Sequence, residues 1–306
     1  MSLFNVVFAA SGLVLGTLGS PPESISPDKS WHKFASEDPL LFIGRAIQIP
    51  SLECNAWMNA LDTEPLGLPM RLGSDEKQDI QLLTQAWSPW KTEEKEIVSD
   101  CVSSPCGIKL SPDEVSILAE TQGPSKISKS SLKLAEYLRM IRVRIQDYLK
   151  TEKRRSYEYS EKRFEPWDHF KEFKTPITAS PSGKHQVWIR KLDFGSDRAR
   201  PLHQVLDRQS IQAADSVGMT VWIQDVYTDH YFDSWGEWIQ VICDSPKKGT
   251  LTYVHVLALE FDLLKKTDLI SKLARGSMRS GIEKQGSRYL DHQFQRIQSR
   301  VKKQRK

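Results

Sequence analysis

Several catalytic signatures are missing from this chain of 306 residues. There is no Gly-x-Ser-x-Gly elbow, no His-Glu-x-x-His helix and no Gly-rich loop of the phosphate-cradling kind. Their absence removes the commonest sequence marks of an α/β-hydrolase, a zinc protease and a nucleotide-binding enzyme. A strong charge imbalance is missing too. Forty-three basic residues against 39 acidic ones leave a net charge of +4, too little to imply nucleic-acid binding. Cysteine is scarce, with Cys54, Cys101, Cys106 and Cys243. Neither Cys54 nor Cys243 belongs to a second close pair, so the paired spacing of a zinc site is lacking.

What is present begins with an apolar run from Leu3 to Leu18 that carries no charge. It is too short to span a bilayer comfortably and has the length of a signal-peptide core. Gly16, Gly19, Ser20 and Pro21-Pro22 follow. A signal segment is expected over residues 1–20, with a buried N-terminal helix or strand as the alternative. The expected location is the periplasm or cell envelope. In such an oxidising compartment Cys101 and Cys106 can close a small disulfide ring. Cys54 and Cys243 can form a second bridge, although spacing does not fix the connectivity, and free buried thiols remain open.

Residues 21–38 read as a linker rich in Pro, Ser and Asp. A mainly helical region is expected over 39–165, opened by an alternating strand from Leu40 to Leu52. Asn55–Leu61 and Gln78–Trp87 read as helices, with residues 62–75 as loop between them. Ser111-Pro112-Asp113-Glu114 carries the residues of a capping box. Leu134, Leu138, Ile141, Ile145 and Tyr148 form one stripe of a long helix expected from Ser130 to Phe164. A Pro-rich boundary follows at 166–183. From residue 184 to the C-terminus the pattern predicts an antiparallel sheet, then a helix interrupted by Gly276, Gly281 and Gly286, with a fraying basic end. The fold class is therefore α+β.

The densest stretch runs from Met219 to Cys243. Asp225, Asp229, His230, Asp233 and Glu237 alternate there with aromatic residues. His230 with Asp229 or Asp233 supplies the residue types of a general base and its orienting carboxylate, or of a metal site. Neighbours along a strand point to opposite faces, so Asp229 and His230 are expected apart unless the segment turns. No nucleophile completes the set, and no cofactor is implied. Trp222, Tyr227, Tyr231, Trp235 and Trp238 can line a pocket for a hydrophobic ligand, or they can be core. The acids among them argue against nucleic acid. Arg300 to Lys306 carries five basic residues and no acid and suits an anionic membrane surface.

The order of sheet then long terminal helix is similar to the helix-grip arrangement of START-type lipid-binding domains. Tyr227-Thr-Asp-His-Tyr-Phe232, the alternating strand after it, and Leu259-Glu-Phe-Asp262 before Ala274-Arg-Gly-Ser-Met-Arg279 resemble a pattern in uncharacterised exported bacterial proteins. The likeness covers roughly the last third of the chain. It departs from that pattern where an Asn-Arg-Ser-Arg-like strand end is expected, and it implies no known activity. Together these features predict a non-catalytic exported envelope protein that binds a hydrophobic small molecule, a lipid or a protein partner. The alternative is a hydrolase or metal-dependent enzyme using His230.

Overall fold

The computed structural model of the protein describes residues 30–34, 40–50, 54–63, 65–73, 75–103, 106–151, 185–193, 200–212, 218–230, 232–245, 248–259 and 269–304. The expectations for residues 1–20, for 152–183 and for Tyr231 lie outside the described residues. The described part is α+β, with eight strands in one sheet. They are β1 (Ser30–Phe34), β2 (Leu40–Pro50), β3 (Leu68–Met70), β4 (Gln186–Leu192), β5 (Leu202–Gln212), β6 (Gly218–Thr228), β7 (Phe232–Ser245) and β8 (Lys248–Leu259). Their order in space is β1-β2-β8-β7-β6-β5-β4-β3, and every neighbouring pair is antiparallel. Strands β4 to β8 follow one another as a meander, as their short connections favour.

The N-terminal section contributes both edges of this sheet. β1 lies within the segment expected as linker, and β3 within the segment expected as loop. Neither is long enough to show a period of its own. Pairing decides each: Ser30 to Phe34 lies along Arg45 to Leu41, and Leu68 to Met70 along Ile189 to Val187. Pro69 suits an edge strand, which needs no N–H on its outer side. Gly67 leads into β3 with a positive φ, and a Cβ there would collide with the Ile189 carbonyl oxygen.

Period-two alternation sorts the strand side chains between two apolar clusters. One face holds Leu206, Val221, Ile223, Trp235, Ile239, Val241, Leu251 and Tyr253. Helices α1 (Cys54–Asp62) and α6 (Leu269–Gln304) cover it through Trp57, Met58, Leu290, Phe294, Ile297 and Val301. The other face holds Val187, Ile189, Val205, Val226 and Tyr227. Helices α2 (Glu76–Ala86), α3 (Thr92–Asp100), α4 (Pro112–Glu120) and α5 (Lys126–Thr151) cover that one. Each cluster has its own disulfide. Cys54–Cys243 ties α1 to β7, and Cys101–Cys106 closes the loop after α3.

The helix termini follow from local chemistry. Asp75 caps α2 by accepting from the Lys77 and Gln78 amides at 2.9 and 3.4 Å. The capping box of α4 forms, with Glu114 N donating to Ser111 Oγ at 3.4 Å and Ser111 N to Glu114 Oε2 at 2.8 Å. Glu114 also takes a buried ion pair from Arg144 of α5. Leu138, Ile141, Ile145 and Tyr148 are buried, as the stripe on α5 predicts. α3 was hidden from pattern reading because its nine residues carry only Ile97 and Val98 as large apolar side chains. Gly276, Gly281 and Gly286 do not break α6, which runs unbroken for 36 residues. Its basic end is held rather than frayed. Ile297 and Val301 are buried there, and Arg300 Nη1 donates to the Thr63 carbonyl at 2.9 Å. No helix among the described residues is long and apolar enough to cross a membrane.

Candidate functional site

Two buried polar centres sit at the two faces of the β6–β7 hairpin. The first contains the residues singled out by the sequence. β6 ends at Thr228, and the chain turns at Asp229 and His230 rather than continuing as a strand. The turn brings together neighbours that strand alternation would separate. Asp229 Oδ1 lies 2.5 Å from His230 Nδ1. Its Oδ2 lies 2.9 Å from His203 Nδ1, at the start of β5, and its Oδ1 also accepts from the His203 amide at 3.1 Å. Asp229, an acceptor, fixes Nδ1 of His203 as the donor in that bond.

The centre continues on both sides. Glu94 Oε1 on α3 stands 3.3 Å from His203 Nε2, in ion-pair range but without hydrogen-bond alignment. Lys191 Nζ donates to Glu94 Oε2 at 2.9 Å and to the Pro89 carbonyl at 2.6 Å. The rings of Trp87 and Trp90 lie 5.0 and 4.5 Å from that of His203. Arg200 Nε reaches His230 Nε2 at 3.3 Å, and Arg200 Nη2 donates to the Gly107 carbonyl at 2.5 Å. The Asp229 carbonyl accepts from Lys109 N at 2.8 Å, so the turn also anchors the segment that follows the Cys101–Cys106 disulfide. Asp229 is 2% exposed. Burial alone would push its carboxyl up. The charges of His230 and His203 and their hydrogen bonds outweigh burial and hold it well below the usual carboxylate range.

This arrangement is a closed chain of partners. His203 Nε2 faces Glu94, and His230 Nε2 faces Arg200. A general base needs a ring nitrogen turned toward a reacting proton. Here the far nitrogens of both rings already face protein groups. Among the described residues no group of three or more His, Cys, Asp or Glu is placed to hold a metal ion. The side chain of Asp233 lies outside the described residues. Asp225 belongs to the hairpin instead: it accepts from the Trp235 amide at 2.9 Å and from Thr228 Oγ1 at 3.3 Å.

The aromatic set divides between the faces. Tyr227 lies on the α5 side, with its hydroxyl 2.9 Å from that of Tyr137. Trp222 and Trp238 are cross-strand partners in an edge-to-face contact at 6.3 Å. Trp235 belongs to the opposite cluster beneath α6. These four buried rings therefore do not form one wall.

The second centre surrounds Glu237, on the face toward α6. Glu237 is 1% exposed. It accepts from the Tyr253 hydroxyl on β8 and, at 2.5 Å, from the Tyr289 hydroxyl on α6. Arg190 of β4 stacks its guanidinium over Trp235 at 4.4 Å and donates from Nε to Gln204 Oε1 at 2.8 Å. His255, the cross-strand neighbour of Glu237, is packed between Trp235 and Tyr289 at 5.2 and 4.9 Å. Among the described residues neither ring nitrogen of His255 has a hydrogen-bond partner. Burial, helped by the Arg190 charge, lowers its pKa from 6.5 to about 3, so the ring is neutral. Burial raises the Glu237 carboxyl, against the opposing pull of Arg190 and of the tyrosine hydrogen bonds. Tyr253 and Tyr289 are raised as well, first by burial and then by the Glu237 charge. A small cavity of about 10 Å³, room for about one water, lies among these groups.

The sequence set Glu237 beside His230 and offered no role for Arg190, His255 or Tyr289; the structure puts Glu237 with these instead. A signal was available. Arg190, Glu237 and His255 each occupy the core-facing parity of a strand whose neighbours at that parity are apolar: Trp188, Trp235 with Ile239, and Leu251 with Tyr253. Comparison with protein families, with curated proteins and with solved structures finds no match.

Proposed function

We propose that the protein is a non-catalytic, exported cell-envelope protein that binds a hydrophobic ligand between its sheet and its C-terminal helix. The observation that carries this reading is the Glu237 centre. A polar-lined cavity sits in the middle of an otherwise apolar sheet–helix interface. Ligand sites combine such apolar walls with a few convergent polar groups. The antiparallel sheet closed by one long terminal helix supports a START-like helix-grip function. The two disulfides are compatible with an exported protein. Exposed Lys302 and Lys303 at the end of α6 favour an anionic membrane surface as the place of work.

Native mass spectrometry of the protein purified without detergent tests this. The expected result is a population carrying a bound species that organic extraction removes. Protein that is empty from its own source and takes up nothing from a total lipid extract would refute ligand binding.

The short Asp229–His230 contact favours a second reading, a hydrolase or metal-dependent enzyme using His230 with Asp229 or Asp233. Hydrolysis of ester or peptide substrates that disappears in His230→Gln, with the fold intact by circular dichroism, would establish it. Equal residual rates in both proteins would remove it.

A further inference from the structure

The Cys101–Cys106 disulfide joins two segments that close around the Asp229 centre. We infer that it is a redox latch: reduction by a dithiol loosens Gly107, releases the bond from Gly107 to Arg200 and uncovers the edge of His230, without unfolding the protein. The latch lies on the sheet face opposite α6 and does not depend on a ligand beneath that helix.

Two arms converge on His203, Asp229 and His230. The first is α3, whose Glu94 stands 3.3 Å from His203 Nε2 and whose C-cap is Cys101. The second runs from Cys106 to Leu110. Its Gly107 carbonyl accepts from Arg200 Nη2 at 2.5 Å, and Arg200 Nε reaches His230 Nε2 at 3.3 Å. Its Lys109 amide donates to the Asp229 carbonyl at 2.8 Å. The second arm has two kinds of anchor. Ile108 and Leu110 are buried in the apolar cluster beneath α5. Cys106 is only half-buried, and Gly107 is exposed. Gly107 is nonetheless pressed against α3, where a Cβ would collide with Ile97 Cγ2. The covalent link to Cys101 holds this exposed end in place. Cutting it leaves the apolar anchor intact and lets the Gly107 carbonyl move off Arg200.

The chemistry is ordinary thiol–disulfide exchange. Cys101 is fully buried, so an external thiolate attacks the sulfur of half-buried Cys106. A mixed disulfide forms there, and Cys101 leaves as a thiolate that takes up a proton. The second thiol of the dithiol then displaces Cys106. The dithiol ends as a disulfide, two electrons and two protons have passed to the protein, and Cys101 and Cys106 are thiols. In an oxidising compartment the latch rests closed. The other bridge is no latch. Cys54–Cys243 spans 189 residues, and losing it relaxes the whole unfolded chain. The Cys101–Cys106 ring spans 5 residues and constrains little of that chain, so opening it alters one segment and leaves the fold standing.

The test is graded reduction of the intact protein with dithiothreitol, with the freed thiols located by alkylation and mass spectrometry of a parallel sample. Expected is a stage at which Cys101 and Cys106 are thiols while Cys54 and Cys243 remain bridged. At that stage, after the reductant is removed, diethyl pyrocarbonate should modify His230 at least fivefold faster than in the oxidised protein. The near-ultraviolet circular dichroism should be kept, and the Lys109 amide should stay protected from hydrogen exchange. Oxidised glutathione should restore the slow rate. A variant carrying Cys101→Ser and Cys106→Ser should show the fast rate without reductant, and glutathione should not slow it. An unchanged His230 rate in the reduced protein overturns the latch. So does loss of Lys109 protection, which means that the arm unfolds rather than loosens. Reduction of Cys54–Cys243 ahead of Cys101–Cys106 overturns it as well.

Discussion

Asp229 and Glu237 belong to one hairpin, are almost fully buried, and have opposite chemistry. Asp229 has two histidines and a backbone N–H at its oxygens, and these hold it ionised against the cost of burial. Glu237 has two tyrosine hydroxyls and the more distant Arg190, and burial prevails. Burial is common to both, so it does not decide the state of either group. The donors within bonding reach decide it. The consequence is functional. The Asp229 centre is a lattice of mutual partners that fastens α3, the Cys101–Cys106 loop, β4, β5 and the β6 turn to one another. The Glu237 centre has a neutral histidine and a small cavity, and it lies under a single long helix.

This contrast predicts unequal costs. Asp229→Asn strands His203, His230 and their cationic neighbours without the central charge, and should cost about 3–5 kcal/mol in denaturant unfolding at neutral pH. Glu237→Gln keeps a hydrogen-bonding group between the tyrosines and should change stability by no more than about 1 kcal/mol. Equal losses from the two would erase the distinction. The disulfides offer the next comparison. Cys54–Cys243 spans 189 residues and Cys101–Cys106 spans 5. Loop entropy alone makes removal of the first cost about 5 kcal/mol and of the second about 2 kcal/mol, read as a difference in midpoint between the double-alanine variants.

The pH dependences should have opposite signs. The ordinary value for Asp229 is 3.8, and its folded value is lower. Its contribution is thus present above 3.8 and lost as pH falls toward the folded value. For Glu237 the ordinary value is 4.5 and the folded value is higher. Its contribution is present below 4.5 and lost as pH rises through the folded value. Glu237→Gln should therefore gain on the parent as pH rises above 4.5, whereas the deficit of Asp229→Asn should shrink below 3.8. His255 adds an acid limb. Lowered from 6.5 to about 3, it gives stability that is present above 6.5 and lost as pH falls toward 3. The slope is about 1.4 kcal/mol per pH unit, and His255→Phe should flatten it in unfolding curves taken across that range. A comparably small effect is expected of Tyr289→Phe. Loss of one donor to Glu237 should cost about 1 kcal/mol at neutral pH and less in acid, where the carboxyl is protonated.

How far the sequence foretold these centres depends on where their parts lie along the chain. The β6–β7 hairpin was legible because Val221, Ile223, Ile239 and Val241 alternate cleanly with Trp222, Trp238 and Gln240, and no tertiary contact reverses that parity. Asp229 and His230 were legible as residue types but not as partners, because the turn after Thr228 is set by tertiary bonds to His203 and Lys109. Glu94, Lys191, His203 and Arg200 come from three further segments, and no local pattern links them. β1 and β3 were illegible because a strand of five or three residues takes its conformation from the neighbour it pairs with. The end of α6 was misread from its charge, since the tie from Arg300 to Thr63 joins residues 237 positions apart.

One measurement bears most directly on the contrast between the centres. Carbon-13 labelling of the aspartate and glutamate carboxyls, with Asp229→Asn and Glu237→Gln used for assignment, follows both groups through one pH titration in the folded protein. The account predicts that the Asp229 signal stays at its ionised position to below 3.8 and that the Glu237 signal moves above 4.5. Two signals that titrate together would contradict it.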